Sequence, residues 1–115
     1  MIVPDSLFGI FSDSTRLRAL MLIQSEGELC VCELTFALNE LQPKVSRHLA
    51  LMRDAGIVES RREGTWIHYR INPSLPEWSK EIIGHVYVQL KGLSPYRDDK
   101  KHLIQMSNRP ERNCA

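Results

Sequence analysis

Apolar residues recur at helical spacing through the first part of the chain. Between Asp5 and Phe11 four of seven residues are apolar, which predicts a short amphipathic helix. A second helix is predicted from a cap at Ser12 or Asp13 to a stop near Gly27. The chain therefore begins with two helices in close succession.

Two further helices are predicted on either side of a turn. Residues 32–38 can form about two helical turns, and residues 39–41 make the connection. The next helix starts at Gln42-Pro43, where proline fits the first turn, and ends at Gly56. Apolar residues at positions i, i+4 and i+7 give this helix a buried stripe, which consists of Val45, Leu49 and Met52.

The period of the pattern then changes from helical to alternating. Glu63-Gly64 is predicted as the turn between two strands, Val58–Arg62 and Thr65–Ile71. A last helix is predicted from Glu77 to about Leu90. Its inward stripe comprises Trp78, Ile82, His85, Val86 and Leu90.

The order helix, helix, short helix, turn, helix, hairpin, helix is typical of a winged helix-turn-helix domain. The fold class predicted is mainly α with a β-hairpin wing, in a dimeric protein. A chain of 115 residues suits one domain, so any sensing must occur within the same fold. Residues 1–92 are assigned to DNA binding and dimerisation, and residues 93–115 to a flexible C-terminal tail.

Charge is distributed unevenly although the net charge is only +1. Residues 41–70 contain six basic residues against three acidic ones, whereas residues 1–40 contain two against six. A basic middle segment fits contact with phosphate groups, although a solvated charged face would have the same composition. The candidate DNA contacts from the fourth helix and the hairpin are Gln42, Lys44, Ser46, Arg47, His48, Arg61, Arg62 and Thr65.

Two cysteines one residue apart, Cys30 and Cys32, precede the predicted recognition helix. Their spacing is shorter than that of common zinc sites. On a regular helix their side chains would point about 200° apart. A shared ligand therefore either requires non-helical backbone at the helix start or breaks helix that was there. Thiolates are the natural ligands of soft, thiophilic ions, and this pair is therefore a candidate soft-ion site.

Three segments carry a family resemblance: ELCVCEL, QPKVSRHLALMRDAG and GTWIHYRI, all between Glu28 and Ile71. This stretch resembles the arsenical-resistance repressors of the ArsR/SmtB family, with similarity over residues 5–90. The resemblance implies a homodimeric repressor on palindromic operator DNA. It also implies release by As(III) or Sb(III) as inducer, bound through Cys30 and Cys32, with no organic cofactor.

The resemblance leaves the third thiol of the site open. Members of the family usually have a third cysteine three residues after the second, where this chain has Thr35. Cys114 in the tail is a candidate third ligand. In the alternative interpretation the cysteines are incidental, and the repressor is redox-responsive or insensitive to ligand.

Other classes of protein find little support in the sequence. It contains no nucleophile elbow and no phosphate-binding loop, so we do not expect an enzyme. No apolar run approaches the roughly 18 residues of a membrane span, and the first residues lack the positive charge of a signal peptide. We therefore expect a cytoplasmic protein without a membrane partner.

Overall fold

A computed structural model describes residues 4–106 and contains, within that range, six helices and one three-stranded antiparallel sheet. The helices are α1 (Pro4–Phe11), α2 (Ser14–Glu26), α3 (Val31–Leu38), α4 (Gln42–Asp54), α5 (Glu77–Leu90) and α6 (Tyr96–Ile104). The strands are β1 (Glu28–Cys30), β2 (Val58–Glu63) and β3 (Trp66–Ile71). The sheet order is β1-β3-β2, so the hairpin strand β3 lies in the centre.

The predicted helix boundaries are largely confirmed. Asp13 caps α2, since its carboxylate accepts the Arg16 N–H at 3.0 Å. Gly27 follows the helix with φ of +88°, a backbone conformation that favours glycine. All three apolar residues predicted for the inner face of the recognition helix are buried: Val45, Leu49 and Met52.

The hairpin turn lies one residue later than predicted. Glu63 pairs with Trp66, so the turn residues are Gly64 and Thr65 instead of Glu63 and Gly64. Gly64 adopts a φ of +61°, which allows the tight reversal. The alternation of apolar and polar residues does not determine which two residues form the turn here. Gly64 has a polar residue on each side, Glu63 and Thr65, and either could share the turn with it.

Strand β1 was not predicted. Glu28 lies opposite Arg70 and Cys30 lies opposite His68, which adds a third strand to the wing hairpin. Three residues are too few to give a recognisable alternation in the sequence. The strand exists because β3 offers an unpaired edge beside the end of α2.

The prediction of a flexible tail from residue 93 is wrong for its first part. Helix α6 packs on α2 and α3, and its Leu103 is fully buried. Asp99 accepts hydrogen bonds from the Arg18 guanidinium at 2.7 and 2.9 Å. One buried leucine and one buried carboxylate give too weak a periodic pattern for sequence-based prediction. Cys114 lies outside the described residues.

Much of the predicted inner face of α5 is partly exposed to solvent. It buries Ser79 and Ile83, whereas Ile82, Val86 and Leu90 are half-buried and His85 is exposed. No helix between residues 4 and 106 is long and apolar enough to cross a membrane.

Candidate metalloid site and nucleic-acid interface

Cys30 and Cys32 meet at the junction of β1 and α3. Cys30 is the last residue of β1 and the N-cap of α3, with extended φ and ψ of −86° and 164°. Cys32 lies in the first helical turn, and the two Sγ atoms are 2.8 Å apart. The backbone at Cys30 is therefore non-helical, and the two side chains approach each other in spite of their spacing. We refer to these two side chains as the thiol pair.

The two thiols have different surroundings. Cys30 is fully buried, whereas Cys32 is partly exposed. Burial raises the pKa of the Cys30 thiol well above its usual range, and the hydrogen bond with Cys32 raises it further. The Glu33 carboxylate accepts the Cys30 backbone N–H at 2.9 Å and so fixes the helix start. Cys30 is therefore a neutral, positioned thiol, and Cys32 is the accessible one.

The thiol pair has no third strong ligand in the described part of the chain. Between residues 4 and 106 no three His, Cys, Asp or Glu side chains form a group suited to a metal ion. Thr35 follows Cys32 by one helical turn, but its hydroxyl donates to the Val31 carbonyl at 2.8 Å. The described residues therefore offer two sulfur atoms as candidate ligands.

Cys32 also lines a groove of about 750 Å³ between α3, α4 and the wing. We call it the Cys32 groove. Its lining is largely apolar and includes Trp66 and Ile67, both 39% exposed. The sequence pattern predicted only that these two residues belong to a strand. Two adjacent large apolar residues near a hairpin turn are the signal that would have singled them out. The full lining is Val31, Cys32, Thr35, Phe36, Gln42, Ser46, Ala50, Arg53, Thr65, Trp66, Ile67, Tyr69 and Met106.

Four of the five predicted DNA contacts on α4 are accessible. Gln42 and Arg47 are exposed, and Lys44 and Ser46 are partly exposed. The Gln42 side-chain amide donates to the Ser46 hydroxyl at 3.3 Å. Lys44 forms an ion pair with Glu40 at 2.9 Å. These four side chains lie in the first two turns of the helix.

The structure corrects the prediction for the fifth residue, His48. Its side chain is turned toward α2, where Nδ1 lies 3.2 Å from Arg16 Nη1 and Nε2 lies 3.9 Å from an Asp13 carboxylate oxygen. It is only 8% exposed, and burial lowers its pKa. The residue immediately after Arg47 faces the protein because successive side chains on a helix point about 100° apart. His48 therefore packs α4 on α2.

The three predicted wing contacts differ in position. Thr65 is in the turn and exposed, and Arg62 is exposed next to it, with Nε donating to the Gly64 carbonyl. Arg61 lies farther from the turn and is ion-paired with Glu28 and Glu63. Arg62 and Thr65 are thus better placed to contact DNA than Arg61.

Exposed apolar side chains are also found on α1 and α5. On α1, Phe8 is 53% exposed, and on α5, Val88 is 56% exposed. Ile82, Val86 and Leu90 are half-buried on the same helix. Exposed apolar residues at this density are typical of a surface that another protein covers.

The chain is similar to known bacterial regulatory proteins in both sequence and structure. Residues 13–60 match the family described as bacterial regulatory protein, arsR family. The arsenic resistance transcriptional regulator ArsR2 of Pseudomonas putida is 48% identical over 116 residues, which cover 100% of this chain and 98% of that protein.

Two solved structures resemble the fold. The AntR antimony-specific transcriptional repressor is 29% identical, with a TM-score of 0.62 and coverage of 75% of each chain. A homodimeric winged helix-turn-helix DNA-binding domain from Mycobacterium bovis is 28% identical, with a TM-score of 0.62. The match covers 74% of this chain and 75% of that domain. With the full-length similarity to ArsR2, these matches show that the chain belongs to the ArsR family of bacterial regulatory proteins and is a transcriptional regulator, not an enzyme.

Proposed function

We propose that the protein is a repressor that binds operator DNA as a homodimer and leaves it when As(III) or Sb(III) binds Cys30 and Cys32. The distance of 2.8 Å between the two sulfur atoms carries the proposal. Two bonds of about 2.3 Å, the length of a zinc–thiolate bond, can join sulfurs up to roughly 4.6 Å apart. One soft ion can therefore bond to both thiols without unfolding the site.

The names of similar proteins support this type of inducer. ArsR2 of Pseudomonas putida is an arsenic resistance regulator, and AntR is an antimony-specific repressor. Both elements are thiophilic when trivalent, and the sulfur ligands of the thiol pair match that chemistry. Cys114 remains a candidate third ligand in this proposal.

DNA recognition is assigned to the start of α4 and the tip of the wing. Gln can pair with adenine and Arg with guanine in the major groove, so Gln42 and Arg47 are the base-contacting candidates. The phosphate-contacting candidates are Lys44, Ser46, Arg62 and Thr65. His48 has no part in the contact because it is buried, and Arg61 contributes less because two carboxylates neutralise it.

The dimer is assigned to α1 and α5, which together carry the exposed Phe8 and Val88. A two-fold axis between these helices would set two copies of α4 about 34 Å apart, one turn of B-DNA. The homodimeric state of the Mycobacterium bovis domain supports this assembly.

The release of DNA is explained by the two elements that contain the thiol pair, β1 and α3. Cys30 belongs to β1, which pairs with the wing, and Cys32 belongs to α3, which packs on α4. An ion that imposes its own bond angles on both sulfurs changes the junction of these two elements. A difference of about 3 kcal/mol in ligand affinity between free and DNA-bound protein weakens DNA binding more than a hundredfold.

The test is fluorescence anisotropy of labelled DNA from upstream of the gene, titrated with reduced protein and then with arsenite or antimonite. We expect tight binding that these ions reverse and that zinc and cadmium do not. Cys32→Ser should bind DNA normally but resist induction, and Arg47→Ala should bind DNA weakly but still bind arsenite. Release of Cys32→Ser by arsenite would exclude the thiol pair as the sensor.

A redox-responsive repressor is the alternative that the proximity of the sulfurs favours. The raised pKa of Cys30 counts against this alternative, because peroxide reacts with the thiolate and the Cys30 thiol stays protonated. Hydrogen peroxide in the same anisotropy assay separates the two functions. Release by peroxide and not by arsenite would establish the redox function.

A further inference from the structure

The number of sulfur ligands in the described site matches a particular class of arsenic compound. Arsenite, As(OH)₃, keeps one hydroxyl when it condenses with two thiols. A trivalent arsenic that carries one carbon substituent, R–As(OH)₂, has only two hydroxyls to exchange. With Thr35 bonded to the Val31 carbonyl, the two thiols satisfy such a compound completely.

The surroundings of Cys32 provide space for the substituent. The Cys32 groove opens beside this sulfur, and its volume of about 750 Å³ far exceeds that of a phenyl ring. Val31, Phe36, Trp66 and Ile67 make much of its wall apolar. An aromatic ring bound there would stack on or pack against these side chains and leave water.

We propose that the thiol pair and the Cys32 groove together form a binding site for mono-organic trivalent arsenicals, with a preference for an aromatic substituent. This proposal rests on the proposed function, because it assigns the ligand class of the same sensor. Cys30 and Cys32 hold the arsenic atom, and the groove holds its carbon substituent.

The binding reaction requires no oxidant or reductant. R–As(OH)₂ reacts with the two neutral thiols, two As–O bonds break and two As–S bonds form. Each thiol proton leaves with one hydroxide as water, so two water molecules are released and arsenic remains trivalent. Cys32 reacts first because it is partly exposed, and the buried Cys30 then displaces the second hydroxide.

The groove also links the substituent to DNA binding. Gln42, Ser46 and Ala50 of α4 line it together with Thr65 of the wing turn. A substituent in the groove therefore lies between the two elements assigned to the DNA contact. We expect an organic arsenical to release DNA at a lower concentration than arsenite does.

The test measures affinities of the reduced full-length protein for arsenite, methylarsonous acid and phenylarsonous acid, by competition with dithiothreitol. The methyl and phenyl compounds form the same pair of As–S bonds, so dithiothreitol supplies the intrinsic phenyl-to-methyl ratio. We expect the protein to exceed that ratio by at least about tenfold, since even one methylene in an apolar pocket contributes that much. A ratio equal to that of dithiothreitol would overturn the proposal.

Matched variants assign the preference to the groove. Ile67→Ser should remove most of the phenyl preference, whereas Leu51→Ser, an exposed apolar residue of α4 outside the groove lining, should leave it unchanged. Thr35→Cys adds a thiol one turn after Cys32 and should tighten arsenite binding about tenfold or more, with less effect on phenylarsonous acid. An unchanged preference in Ile67→Ser would exclude the groove.

A further pair of measurements separates this inference from the proposed function. If Cys30→Ser and Cys32→Ser bind every arsenical as the wild type does, both proposals fail. If those variants lose arsenite binding but the wild type has no phenyl preference, the sensor stands and only the ligand class is wrong. Cys114→Ser should keep the phenyl preference, and its loss in that variant would contradict the two-sulfur site.

Discussion

Cys30 lies directly opposite His68 in the antiparallel pairing of β1 with β3. His68 in turn lies opposite Arg61, because β3 is the central strand of the sheet. One row of paired residues thus connects the buried thiol to the outer strand of the wing. We expect a displacement of Cys30 to alter the wing through this row and α4 through α3.

The unequal burial of the thiol pair predicts unequal reactivity. In the native reduced protein, iodoacetamide should modify Cys32 quickly and Cys30 slowly at about pH 8.5, because only Cys32 is accessible. Cys30 is fully buried and its pKa is raised, so it offers almost no thiolate at that pH. Peptide mass spectrometry after timed quenching gives the two rates.

Denatured protein provides the control for that measurement. In urea the two cysteines should be modified at similar rates, because burial no longer separates them. Equal rates in the native protein would mean that Cys30 is accessible, which would contradict its position as the inner ligand.

The parts of the fold that sequence could predict are those with local, repeated signals. The stripe of Val45, Leu49 and Met52 predicted α4, and Asp13 was one of two predicted caps for α2. The cysteine spacing predicted that a ligand shared by both sulfurs is incompatible with a regular helix, and the structure has extended backbone at Cys30. In each case the residues concerned lie within a few positions of one another.

The missed features depend on contacts between distant parts of the chain. Strand β1 exists through pairing with residues about 40 positions later. The burial of His48 depends on α2, and the Cys32 groove combines three elements that no single motif connects. Local patterns in the sequence do not predict contacts between residues that are far apart in the chain.

The two wing arginines should contribute differently to DNA binding. Arg62→Ala should reduce the slope of log affinity against log salt concentration by about one, as expected for one lost phosphate contact. Arg61→Ala should reduce it less, because Glu28 and Glu63 already neutralise its guanidinium. Operator affinities at several potassium chloride concentrations give both slopes. Equal slopes for the two variants would show that DNA displaces the carboxylates from Arg61.

The apolar surface of α5 predicts where the dimer can be broken. Val88→Glu should shift the protein toward monomer in sedimentation equilibrium, because it sets a charge into the proposed interface beside half-buried Val86. Operator affinity should fall with it, since one recognition helix binds weakly. Gln89→Glu adds the same charge at an exposed neighbouring position and should leave the dimer intact. If Val88→Glu stays dimeric, α5 is not at the centre of the interface.

The ion pair between Arg18 and Asp99 predicts how strongly α6 stabilises the domain. Both side chains are largely buried, and Asp99 also raises the pKa of Arg18. Asp99→Asn removes the negative charge while the buried guanidinium stays charged, so the free energy of unfolding should fall by about 3 kcal/mol in urea denaturation. Asp98→Asn is the matched control, because Asp98 is an exposed carboxylate of the same helix, and it should lower the stability much less. Indistinguishable midpoints for the two variants would mean that α6 adds little to the stability of α2 and α3.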